Sequence, residues 1–68
     1  MAIAKVIEVL AEGESIEGAI QAAVSEASST VRHIKHAYVE GLQAIVEDNQ
    51  VQKYRLNLKL TFVVEEEA

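Results

Sequence analysis

The stretch from Tyr54 to Val64 constrains the fold more than any other part of this chain. Tyr54, Leu56, Leu58, Leu60, Phe62 and Val64 alternate with Arg55, Asn57, Lys59 and Thr61, the two-residue period of an extended strand with one buried face. The turn-forming pair Asp48-Asn49 lies ahead of it, so an antiparallel hairpin with the preceding strand is expected. That preceding strand is less regular. Ala37 and Val39 define one apolar phase, Leu42, Ala44 and Val46 the other, and Gly41 lies between them, where a bulge or sharp bend would restore the phase.

Upstream, Ile3-Ala4-Lys5-Val6-Ile7-Glu8-Val9-Leu10 is rich in β-branched residues and stops at the turn-like Glu12-Gly13-Glu14, which reads as a further strand. Ser15 then stands where a helix N-cap belongs, with Glu17 complementing the positive end of the helix dipole and Gly18 in place of the capping-box carboxylate. Ile16, Ala19, Ile20, Ala23, Val24, Ala27 and Val31 follow at the three-and-four spacing of one buried helical stripe. The hydroxyl cluster Ser28-Ser29-Thr30 competes for backbone hydrogen bonds and should end the helix nearby. A helix of about sixteen residues, roughly 24 Å long, results. The expected fold class is therefore α+β, with β-α-β-β order, a three-stranded antiparallel sheet and one helix in a single domain, residues 1–68.

The two lengths do not match. About fourteen residues of strand extend for about 48 Å, twice the length of the helix, so one helix cannot cover the apolar face of the hairpin. A chain of 68 residues also buries only a modest fraction of its surface on folding, and with no cysteine it has neither disulfides nor thiolate zinc sites to compensate. Copies of the same chain are the expected remedy, as a homo-oligomer.

Half of the residues are apolar and a quarter charged, which points to a folded domain rather than disorder. A net charge of -5 with six scattered basic residues argues against a nucleic-acid partner. The apolar runs fall far short of the ~20 residues of a membrane span, and Lys5 and Glu8 interrupt what would have to be a signal region, so a cytoplasmic protein is expected. Ser25, Ser28 and Ser29 lack a nucleophile-elbow context, there is no glycine-rich phosphate loop, and no triad or carboxylate pair is recognisable. An enzyme is not expected.

Taken together, Val6-Ile7-Glu8-Val9, Ala19-Ile20-Gln21-Ala22-Ala23 with Ala27, Thr30-Val31-Arg32-His33-Ile34 and the closing Tyr54 to Phe62 make the chain resemble a dodecin. The resemblance covers almost the whole length. It implies a β-α-β-β subunit whose sheet wraps its helix, a dodecameric shell of cubic symmetry, and binding of a flavin such as FMN or riboflavin at contacts between subunits, for storage or sequestration and not for turnover. It also marks departures. The tryptophan that stacks on the flavin in typical members aligns with His36, the ring-binding glutamine with Arg55, and the basic residues near the phosphate with Gln43 and Val63, so the chain is closer to members that lack the tryptophan. An imidazole offers less flat surface than an indole, while Arg55 could lay a planar cation on a ring or donate to an anion.

The candidate ligand residues are thus His36, Gln43 and Arg55, all expected on the sheet face away from the helix. The same polar side chains could equally serve as hydrogen-bonding groups of an oligomer interface. The competing function is a shell without flavin, holding an anion or Ca²⁺, as one relative lacking the tryptophan resembles a calcium-binding version. His33 and His36 would suit a metal only on a helix, because a strand turns them to opposite faces. Glu8, Glu12, Glu14 and Glu17 could offer oxygens to Ca²⁺, but without EF-hand spacing they read as solvated charge. The acidic end Glu65-Glu66-Glu67 reads as a solvated tail.

Overall fold

The computed structural model describes residues 2–66. Strand β1 (Ala2–Gly13) leads into helix α1 (Ile16–Ala27), and strands β2 (Ile34–Glu47) and β3 (Gln50–Glu66) follow. The sheet order is β1-β3-β2, with both pairings antiparallel, so α1 links two edge strands across a central β3. The α+β class and the β-α-β-β order expected from periodicity are what the chain adopts.

Local chemistry sets the element ends. Ser15 is extended, and its Oγ accepts from the Gly18 amide at 2.9 Å, satisfying one of the orphan donors of the first turn. At the other end the hydroxyls of Ser28, Ser29 and Thr30 donate back to the carbonyls of Ser25, Glu26 and Ala27. These bonds close the helix at Ala27, so it has twelve residues and spans about 18 Å, shorter than the sixteen expected. The hydroxyls compete with the ladder already at the first of the three residues. Asp48 and Asn49 both have positive φ, 53° and 62°, the two-residue turn whose twist matches a hairpin.

The irregular β2 resolves at Gly41. Val39 pairs with Leu58 and Gly41 with Asn57, leaving Glu40 as the extra residue. Ala37, Val39, Leu42 and Ala44 consequently face Leu60, Leu58, Leu56 and Tyr54 on one side of the sheet, and the two apolar phases become one. On β1, Ile7, Val9 and Ala11 oppose the same three leucines. The strand runs past the expected stop at Leu10 because Gly13 is its last paired residue, opposite Tyr54. A Cβ on Gly13 would lie 3.1 Å from the Ala19 nitrogen, so a methyl there would press on the helix where it returns over the strand.

The core is small: Ala19, Ala23 and Ala27 of α1 rest on Leu56, Leu58 and Leu60 of β3. The helix packs on β1 and β3 and hardly reaches β2. The molecule is 55 Å long with a radius of gyration of 14.2 Å, against roughly 11 Å for a compact chain of this length. Its accessible surface of 5098 Å² likewise exceeds the roughly 4200 Å² of a compact monomer of this mass. At the acidic end Glu65 and Glu66 pair in β3 with Ile3 and Ala2; Glu67 lies outside the described residues.

Candidate functional site

The ladder also assigns the outer face of the sheet, the one turned away from α1. Arg55 sits opposite Gln43 on β2 and Glu12 on β1, while Lys59, four residues further along β3, meets Tyr38 and Glu8. Lys53 and Thr61 extend the same row, opposite Ile45 and His36. The three expected ligand residues therefore share a face, but not a place. Gln43 and Arg55 are direct cross-strand partners, whereas His36 is six residues along β3 from Arg55, about 20 Å at strand spacing.

Arg55 is held. It donates to Glu12 Oε2 through Nε at 2.7 Å and Nη2 at 2.6 Å, and Lys53 Nζ lies 3.0 Å from Oε1 of the same carboxylate. Lys53, and then Arg55, hold the Glu12 carboxyl below its ordinary value by hydrogen bonding to its ionised form. Lys59 is shared between Glu40 at 3.4 Å and Glu8 at 3.9 Å. The bulge at Gly41 is what turns Glu40 toward that lysine. Three carboxylates and three cations thus alternate across the face, and Lys53, Arg55 and Lys59 each meet an acid.

This arrangement revises the reading of the acids. Glu12 is neither loop charge nor an available oxygen ligand, because it lies within β1 and is occupied by two cations. Glu8 also faces a lysine, and Glu17 lies on the first helical turn. His33 precedes β2 with φ of 61° and its carbonyl accepts from the Val63 amide at 3.1 Å, which gives it a backbone role in joining the loop to β3. Among the described residues no group of three or more His, Cys, Asp or Glu could hold a metal ion, and no helix is long and apolar enough to cross a membrane.

Sequence reasoning missed a groove of about 670 Å³ between β1 and α1, walled by Ile7, Val9, Ala11, Ala23 and Ala27. Its signal was the run of alanines on the helix, whose small side chains leave space beside an edge strand. None of His36, Gln43 and Arg55 lines it. One chain alone does not fit a flavin on those three residues, since a ring stacked on His36 ends well short of Arg55. A ligand touching both types of side chain would have to lie between two copies.

The comparisons with known proteins agree with this architecture. The family model described as Dodecin matches residues 3–65. A point mutant of the dodecin from Thermus thermophilus superposes with a TM-score of 0.87 at 30% identity, over 97% of this chain and 100% of that one. The dodecin from Streptomyces coelicolor gives 0.85 at 31% identity, over 97% and 96% of the two chains. The dodecin from Streptomyces davaonensis, at 20% identity, shares the fold with a TM-score of 0.84, over 96% and 97%. No curated protein matches the sequence. With the β-α-β-β subunit, the central β3 and the matched length in agreement, the chain belongs to the dodecin family.

Proposed function

We propose that the chain assembles into a homododecameric shell in the cytoplasm that binds and sequesters a flavin, FMN or riboflavin, at contacts between subunits. The role is storage, not turnover. His36 supplies the flat surface, and the Gln43–Arg55 pair supplies the polar contacts to the ligand. One observation carries this reading: His36 stands on the same face of the sheet as the Gln43–Arg55 pair but too far from it for one flavin ring within one subunit, which supports a site shared by neighbouring copies. The apolar strip that α1 leaves bare on β2 supports the assembly, because a closed symmetric particle covers such surface without leaving an edge.

A second reading is favoured by the engagement of Arg55 with Glu12, which leaves its guanidinium less available to a ring. In that reading the shell persists without flavin, holding an anion or an ion such as Ca²⁺. Fluorescence decides between them. Titrated into FMN or riboflavin, the protein quenches emission on the first reading, and His36→Trp tightens binding strongly at the same stoichiometry. Unchanged emission with both flavins would leave the second. Native mass measurement tests the assembly separately, and a folded single chain at high concentration would overturn it.

A further inference from the structure

The charge pattern of the outer face says which of the two flavins such a site would take. This inference rests on the flavin reading above. Glu12 lies between two cations: its two oxygens hold Arg55 by two contacts and Lys53 by one, and Gln43, uncharged, is the other cross-strand neighbour of Arg55. Lys59 is claimed by Glu40 and Glu8. The row therefore offers hydrogen-bonding groups with its positive charge already answered by carboxylates at contact distance, well inside the ~8 Å over which salt screens charge. A ligand phosphate arriving there gains no net attraction from the face unless it displaces Glu12, and it would approach that carboxylate as a like charge.

We propose that Glu12 is a specificity-determining residue: by holding Lys53 and Arg55 it withholds both cations from a ligand's phosphate, so that the outer face accepts the uncharged riboflavin in preference to FMN. Glu12 acts through Arg55 and Lys53 and is a positioning residue. It touches no ligand in this role.

The test compares the ratio of FMN to riboflavin affinity in the wild-type protein, Glu12→Gln and Glu8→Gln, by fluorescence quenching at low and high salt. Both variants change the charge of the chain by the same amount, but only the first frees Arg55. Each should fold, because ion pairs between partly exposed side chains contribute little to stability. The expected result is a wild type that favours riboflavin, a Glu12→Gln ratio shifted toward FMN by roughly threefold to tenfold with a new salt dependence, and a Glu8→Gln ratio near that of wild type. A wild type that favours FMN, or equal shifts in the two variants, or none, would overturn the assignment. If wild type quenches neither flavin, the flavin reading fails, and inorganic pyrophosphate then judges Glu12 by itself: binding gained in Glu12→Gln alone upholds its withholding of the cations, and no gain refutes it.

Discussion

Strands β2 and β3 are hydrogen-bonded neighbours with apolar side chains on the same face, yet they live in different solvents. Leu56, Leu58 and Leu60 are 0%, 1% and 0% exposed, whereas their partners Val39 and Leu42 are 37% and 51% exposed. The residue types are nearly the same. What differs is the cover: the alanine face of α1 lies over β3 and β1 and stops short of β2. Burial in this fold is set by the reach of a twelve-residue helix, and the strip it misses continues to Val46 and Val51 at the hairpin end, both exposed. One half of the face is core within a subunit. The other is in contact with solvent there, and in the proposed assembly a neighbouring copy would cover it.

That contrast can be broken from either side. Leu58→Ala should cost about 2–5 kcal/mol, the range for truncating a sealed leucine, and it should do so at every protein concentration in a denaturant titration. Leu42→Ala removes the same atoms from the uncovered strip, and its cost should depend on assembly. In dilute, dissociated protein the change should stay within about 0.5 kcal/mol, while in assembled protein it should approach the cost of a buried leucine and lower the native mass. Equal costs at all concentrations would mean that β2 is not covered by copies.

Glycines sharpen the comparison at smaller scale. Gly13→Ala sets a methyl 3.1 to 3.3 Å from the Ala19 backbone and Cβ, where neither strand nor helix can yield cheaply, and should destabilise by about 1–3 kcal/mol. Gly41→Ala meets Asn57 atoms no closer than 3.6 Å, an ordinary contact, and its φ is not positive. A change within about 0.5 kcal/mol is expected. Thermal melts of the two variants under one buffer check the pair, and reversal of their order would show that the bulge, not the helix return, is the tight point.

How much of this was legible in the sequence follows from which features are local. The alternation through Leu56, Leu58 and Leu60, the phase change at Gly41, the Asp48-Asn49 turn and the Ser15 cap each express a rule that acts over a few residues, and each is where the structure has it. The helix end was misplaced by local rules too finely balanced to date, since any of three hydroxyls could have closed it. The outer-face pairs were missed for a different reason. A two-residue period tells which face a side chain takes, but not which residue of another strand lies opposite, and Glu12 looked like loop charge beside Gly13 and Glu14. One signal was available: Glu8 and Glu12 are four apart, as are Arg55 and Lys59, so antiparallel strands in one register satisfy both pairs at once. His36, Gln43 and Arg55 were placed on the correct face, but periodicity carries no information on their separation along it or on which copy completes the site.

The smallest effect separates the outer face from the core by its response to acid. Leucines do not titrate, so loss of stability on acidification that depends on Glu12 reports the ion pairs that tie the end of β1 to β3. Lys53 and Arg55 hold the folded-state pKa of Glu12 below its ordinary value. A group depressed in the folded state contributes stability that is fully present above its unfolded pKa and is lost as pH falls through the folded one, because the unfolded chain takes up the proton first. The difference in stability between wild type and Glu12→Gln should therefore be level above the ordinary carboxylate range and shrink as pH descends through it toward the lowered value. It should also be smaller at high salt, since the side chains involved are partly exposed. Denaturant midpoints for both proteins across acidic pH measure it, and parallel curves would mean that the carboxylate is tied no more firmly in the folded chain than in the unfolded one, leaving Arg55 without its anchor.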